Sequence, residues 1–301
     1  LIGITFINFG IINLAPGDAV DLMIDPNMSQ ADKNLRREAL GLNDPFLIRY
    51  GRWMGEMLQG NFGYSFTTHR PVAQRVAERI YPTMLLMGAA FILAYILAVP
   101  LGIVSAMRPY SWIDYSTSFL GLLGVSLPTF FTGLVFVYIF SLRLGWLPSG
   151  GMRSLGGSGG FVDLLRHMIL PVSILTLTNI GLVLRLMRSS MIEVLKQDYI
   201  RTAWAKGLTE RAVVFRHALR NSLMPVITMA GVQLPALIAG SVITEQVFQW
   251  PGMGWLTVQA ILSRDYPTLM ALNLFAAVMV LMGTFAADIL YAVADPRIRY
   301  E

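Results

Sequence analysis

The stretch DYIRTAWAKGLTERAVVFRHALRNSLMP, residues 198–225, carries five basic side chains: Arg201, Lys206, Arg211, Arg216 and Arg220. Windows without any charge lie on both sides of it, at 167–184 and 221–244. A basic, helix-forming insert between two apolar segments marks a place where a chain leaves lipid and returns. Three more uncharged windows, 80–107, 115–142 and 266–287, repeat the pattern along the chain. About 20 apolar residues at roughly 1.5 Å each cross a hydrocarbon layer of about 30 Å. Each window is long enough, or nearly so, to cross.

The composition agrees. The 301 residues are 55% hydrophobic and 14% charged, with mean hydropathy +0.58, whereas a soluble domain carries about 25% charged residues. The chain has no cysteine, which excludes disulfides and thiolate chemistry. Nothing points to a nucleic-acid partner, since the basic residues are not interleaved with aromatics on one face. A sixth apolar run, LIGITFINFGIINLA, begins at residue 1. At about 22 Å of helical rise it is short, and it reads as the end of a first span. A cleaved signal peptide is the rival reading, but the run lacks a basic leader and a small-residue cleavage site. The expectation is an all-α membrane protein with six transmembrane helices in one domain, 1–301.

Loop charge gives the orientation. One set of loops, at 108–114, 185–220 and 295–301, holds one, eight and two Lys/Arg, and the loops at 143–166 and 245–265 hold Arg143, Arg153, Arg166 and Arg264. The positive-inside bias puts the first set, with both termini, in the cytoplasm. The segment 16–79 then lies outside. It is too long for a simple connector and reads as an extracytoplasmic subdomain with a helix closed near Gly41 and another starting at Pro71.

The loop 185–221 is built as a hairpin. Leu184, Met187, Met191, Leu195 and Tyr199 recur every three or four residues, giving one apolar stripe on a helix that leaves the membrane. Gly207 suits a left-handed helix end, with Leu208 as the apolar residue after it. Thr209 is placed to cap a second helix and Glu210 to favour its positive end. Two uses fit these residues: an amphipathic hairpin lying on anionic lipid, or a knob that docks a cytoplasmic partner.

No GxxxxGK[ST] loop occurs, so the chain has no Walker-type phosphate cradle. No HExxH motif occurs either, and the histidines His69, His167 and His217 stand in loops or at a span boundary, where they offer no partner for a serine nucleophile within a span. An enzyme reading finds no catalytic residues and no metal ligands. An ion-coupled secondary carrier of a small polar solute is the rival transport reading. It lacks an internal repeat and an acid near a span centre to bind the coupling ion.

RTAWAKG followed by LMP resembles the cytoplasmic EAA loop of ABC importer permeases, with Arg201-Thr202-Ala203 standing at Glu-Ala-Ala and Gly207 at the motif's glycine. The spacing resembles the dipeptide/oligopeptide/nickel branch, with Trp204 where that pattern has Arg. LAPGD (14–18), GNFGYSF (60–66), RPYSWIDY (108–115), VFQWPGMG (247–254), RDYP (264–267) and DILYAVADPRIRY (288–300) resemble the same branch in order and spacing. The resemblance implies a type I importer permease in a prokaryotic cell membrane, paired with a second related permease. It also implies two ABC ATPase subunits, which use ATP and Mg, and an extracytoplasmic solute-binding protein. No cofactor would be bound by this chain itself. The coupling surface would comprise Arg201, Thr202, Ala203, Lys206, Gly207, Leu208, Thr209 and Glu210. Ser126, Thr228, Gln233 and Ser241 are candidates for lining the solute path. Pro100, Pro128 and Pro235 are candidate kinks, and Gly121, Gly124 and Ser126 would allow close helix contact. Arg185 and Arg188 are expected to reach to the surface, and Glu245 to sit at the outer end of its helix.

Overall fold

The computed structural model describes residues 2–14, 32, 38, 41, 43–154, 156 and 159–294. The helix expected to close at Gly41, and the LAPGD segment beyond Leu14, fall largely outside these residues. Among the described residues the regular structure is helical, with one isolated bridge, Tyr64 to Pro71, and turns or irregular segments between the helices.

Two long helices form the axis of the molecule. These are α3 (Val72–Met107) and α6 (Phe161–Leu195), preceded by α1 (Ile2–Leu14) and α2 (Phe46–Leu58). The helix expected to start at Pro71 is not a separate outer element. It is the first turns of α3 and runs without interruption through Pro82 and Pro100 into the second apolar window. The Trp250 indole N–H, far along the chain, donates to the Pro82 carbonyl at 2.8 Å.

The third window is one span in composition and two helices in geometry. α4 (Trp112–Ser126) stops at Leu127, and α5 (Thr129–Phe136), continued by a π-helical stretch Val137–Arg143, leaves at 104° to it. Steric conflict with the Pro128 ring keeps the preceding residue out of the helical region, and Leu127 is extended, at φ −92° and ψ 131°. Of the proline candidates Pro128 marks this break, whereas Pro100 and Pro235 stay inside helices. α4 lies against α6 at close range. A Cβ on Gly121 would come within 3.0 Å of the Gly181 Cα, and one on Gly124 would overlap the Leu177 carbonyl.

After α6 come the two arms of the hairpin, α7 (Asp198–Ala205) and α8, which is α-helical over Glu210–Ala212 and Leu219–Ser222 with a π-helical stretch Val213–Ala218 between. α9 (Met224–Ala239) re-enters with Pro225 in its first turn and stops at Gly240, whose φ of +79° ends a helix without strain. α10 (Val242–Val247) and α11 (Met253–Leu262) are short, and α12 (Tyr266–Ala294) closes the bundle. α9 packs on α12, where a Cβ on Gly283 would meet the Pro235 backbone at 2.8 Å.

The expected span lengths therefore change. Among the described residues α3, α6 and α12 are long and apolar enough to cross alone, and the broken pair α4–α5 makes a fourth candidate. α1 and α9 are shorter apolar helices. The fifth window counted enough residues, but Gly240 divides them between α9 and α10.

Candidate functional site

α6 ends at Leu195, and Gln197, in extended backbone, opens α7. The apolar stripe is thus split: Leu184, Met187 and Met191 are fully buried on α6, while Tyr199 belongs to α7 and its hydroxyl accepts a hydrogen bond from Asn221 Nδ2 at 2.7 Å. That bond ties the base of one arm to the base of the other. At the tip, Gly207 has φ +75°. Its N–H donates to the Trp204 carbonyl (2.9 Å) and the Leu208 N–H to the Ala203 carbonyl (3.4 Å), the paired bonds of a Schellman end. Thr209 Oγ1 then accepts from the Ala212 N–H at 3.4 Å, and Glu210 sits in the first turn of α8. The turn chemistry expected from the sequence is the turn observed.

The hairpin is rooted in the bundle. Ile200 and Ala203 of α7, with Val213, Val214 and Ala218 of α8, are buried in one cluster with Ala98, Ile103 and Ala106 of α3 and Ile180, Val183, Leu184, Met187 and Met191 of α6. Burying the Val, Leu, Ile and Met side chains among these stabilises by about 1.5–3 kcal/mol each, and the alanines by less. The opposite faces stay free: Arg201, Thr202, Lys206, Gly207, Leu208, Thr209 and Glu210 are exposed, and so are Trp204 and Phe215. Ala203 is the exception among the sequence candidates, since it is part of the root. Arg201 keeps a solvent-exposed ion pair with Asp198 at 3.3 Å, and Thr202 Oγ1 bonds back to the Asp198 carbonyl. A buried root thus lies beneath a basic face with two exposed aromatics, and Phe215 is a feature that the motif reading left out.

Three carboxylates are buried among the described residues: Asp114, Glu245 and Asp265. Each closes a turn against a helix far away in sequence. Asp114, in the first turn of α4, receives both prongs of Arg188 on α6, Nε to Oδ1 at 2.6 Å and Nη2 to Oδ2 at 2.7 Å. It also accepts from Ser105 Oγ on α3 and from the Tyr110 N–H. Arg188 was expected to reach for the surface; a buried carboxylate within reach holds it inward instead, and Arg185 bonds to the Gly181 carbonyl.

Glu245 was expected at the outer end of its helix; it lies in α10 and is fully buried. Its Oε1 accepts from Thr83 Oγ1 (2.9 Å) on α3 and its Oε2 from the Trp255 N–H (3.0 Å) at the start of α11. Thr83 Oγ1 in turn accepts from the Met253 N–H at 2.8 Å. Asp265 is also fully buried and accepts from Ser65, the Phe66 N–H, Thr268 and Arg75. Burial alone would raise its pKa. The bonds from Ser65, the Phe66 N–H, Thr268 and Arg75 outweigh that and hold the carboxyl below the usual range. Non-glycine residues at positive φ stand at these same turns: Tyr110 near Asp114, Gln249 near Glu245, and His69 and Arg264 near Asp265.

The structure does not gather the four path candidates. Ser126 is exposed at the α4–α5 break. Ser241 caps α10 by accepting from the Thr244 N–H. Thr228 and Gln233 are five residues apart on α9, which at about 100° per residue places them on different sides of the helix. Gln233 accepts from the Tyr95 hydroxyl at 3.1 Å and, with Asn179, borders a cavity of about 60 Å³ between α3, α6 and α9.

A bundle of apolar helices with a basic, rooted hairpin at one end defines a membrane transport component. The chain belongs to the family described as binding-protein-dependent transport system inner membrane components, whose model matches residues 98–300. It is 46% identical over 301 residues to the oligopeptide transport system permease protein AppB of Bacillus subtilis, covering 100% of this chain and 95% of that one. It is 38% identical over 320 residues to the di/tripeptide transport system permease protein DppB of Pseudomonas aeruginosa, covering 99% and 95%. A solved structure of the MetNI methionine ABC transporter in an inward-facing form matches in fold, with TM-score 0.58 at 16% identity over 73% of this chain and 96% of that one.

Proposed function

We propose that this chain is a permease subunit of an ATP-driven importer for di- or oligopeptides. In this reading it pairs with a second, related permease to enclose one path, and a solute-binding protein delivers to the outer face. Two ATPase subunits, using ATP and Mg, would seat on the hairpin. The excess of Lys/Arg in the loops that include the hairpin supports placing that end, and both termini, in the cytoplasm. The peptide class is supported by the likeness to AppB and DppB.

The observation that carries the reading is the hairpin itself. Its tip around Gly207 is exposed and sharply turned, while its root is fixed in the ends of α3 and α6. Closure of the ATPase pair would push the tip, and the root would pass the movement to the spans. The mechanism is alternating access, with ATP binding opening the path to the binding protein and hydrolysis resetting it.

The chain has no native cysteine, so a single cysteine at Lys206 or Glu210 gives an unambiguous cross-linking site. The expected product is a covalent adduct with the ATPase subunit in membranes holding the whole complex. Adducts with lipid probes alone, from both positions, would refute the docking.

A further inference from the structure

The hairpin follows α6 in the chain and its root packs on α3 and α6, but that root cluster contains no residue of α4. Arg188 lies on α6 seven residues before the helix ends at Leu195. It grips Asp114 with two nearly equal bonds, 2.6 and 2.7 Å, a geometry that fixes direction as well as distance. The same carboxylate is bonded to Ser105 of α3 and to the Tyr110 N–H in the turn joining α3 to α4. Tyr110 holds a left-handed conformation, φ 62°, to present that N–H, a backbone state that non-glycine side chains adopt at a cost. Asp114 is only 4% exposed, so the carboxylate side of these bonds is shielded from water, while part of the Arg188 side chain stays accessible. One buried carboxylate therefore joins three helices at the end of the bundle where the hairpin is rooted.

We propose that the Asp114–Arg188 pair is the joint through which displacement of the hairpin reaches α4, with Ser105 tying the same carboxylate to the end of α3 on which the hairpin root already packs, making Asp114, Arg188 and Ser105 positioning residues for transport. The inference rests on the hairpin being the part moved by the ATPase subunits. Packing of Gly121 on Gly181 already holds α4 to α6 further along. The ion pair adds resistance to sliding and rotation at the hairpin end, because a two-pronged bond tolerates neither.

The test uses spin-label pairs in the purified, assembled importer, in nucleotide-free and vanadate-trapped ATP states. One pair joins Arg211 on the hairpin to Phe119 on α4; the other joins Arg211 to Leu281 on α12. All three positions are exposed. In the unaltered chain the hairpin-to-α12 distance should change between states while the hairpin-to-α4 distance stays constant. In Asp114→Asn the hairpin-to-α4 distance should shift and broaden between states. Arg188→Lys keeps the charge and loses the second prong, and it should show a smaller shift in the same direction; it also decides the matter if Asp114→Asn fails to assemble. A constant hairpin-to-α4 distance in the assembled variants overturns the joint while leaving the hairpin's role intact. A hairpin that moves against neither helix overturns the docking reading, and the joint with it.

Discussion

The Arg75 guanidinium and the Asp265 carboxylate meet at 2.7 Å across a sequence separation of 190 residues. Their contact fastens the GNFGYSF turn, through Ser65 and Phe66, to the first turns of α3 and the entry to α12. Asp265 has a folded pKa below its unfolded value. Its contribution is therefore fully present above the ordinary carboxylate pKa of about 3.9 and is lost as pH falls through the lowered folded value. Hydrogen exchange read on peptides containing Phe66, corrected for intrinsic rates, should show protection that holds down to about pH 4 and declines progressively below it. Asp265→Asn should lose that protection throughout the range. Protection unchanged in the variant would show that the turn is held by something else.

Gly207 meets open space where a Cβ would go, so within this chain a substitution there acts through the backbone. Its φ of +75° disfavours a β-branched residue by about 1–2 kcal/mol. Gly207→Val should reshape the tip without disturbing the buried root at Ile200, Ala203 and Val214. ATP hydrolysis by the assembled complex should persist while solute uptake falls, measured together in proteoliposomes with a labelled tripeptide. Gly207→Asn, which tolerates the left-handed region better, should retain more uptake than the valine variant. Equal uptake in all three forms would remove Gly207 from the mechanism.

Thr83 serves two groups at once, donating to Glu245 and accepting from the Met253 N–H. Thr83→Val keeps the volume, strands the Met253 N–H and leaves Glu245 with the Trp255 N–H on Oε2 but no donor from Thr83 on Oε1, and an unsatisfied buried polar group costs about 1–3 kcal/mol. Gly252→Ala attacks the same place from the other side, since its Cβ would stand 2.4 Å from Glu245 Oε2 and 2.5 Å from Thr83 Oγ1. Both variants should lower the thermal midpoint of the detergent-solubilised protein. Because they disturb one network, the double variant should lose less than the sum of the two. Strict additivity would separate Gly252 from the Thr83–Glu245 pair.

What could be read from the chain beforehand was what local chemistry decides. Gly207 and Thr209 lie within a few residues of the groups they bond, so the hairpin turn was legible before any fold was known. Uncharged windows located the lipid-crossing material for the same reason. The bend at Leu127 was half legible, because Pro128 announced a disturbance but not a 104° one. Asp114, Glu245 and Asp265 were not legible as anchors, since Arg188, Thr83 and Arg75 find them across 74, 162 and 190 positions. Charge near a span end looks the same in sequence whether it reaches for water or for a partner. The four path candidates were not legible as a group for a related reason: polarity within a window says nothing about which side of α9 a residue occupies.

Two glycines in helices of this bundle make a controlled comparison of packing with propensity. Gly124 on α4 abuts the Leu177 carbonyl of α6 so closely that an added Cβ has no room, whereas a Cβ on Gly88 of α3 would meet nothing within 4 Å. In Gly124→Ala the obstruction is backbone, which cannot swing aside as a flexible side chain does, so α4 and α6 must separate; overpacking of this kind costs about 1–3 kcal/mol. Gly88→Ala adds a methyl group in open space and reduces unfolded-chain freedom, a gain of about 0.4–1 kcal/mol where the conformation is already helical. Thermal midpoints in detergent should therefore move in opposite directions, down for Gly124→Ala and level or up for Gly88→Ala. A disulfide engineered between α4 and α6 should form more slowly in the first variant and at the parent rate in the second. Matching shifts in the two variants would mean that glycine acts here through chain flexibility, and that the close approach of α4 to α6 at Gly124 is not what fixes their spacing.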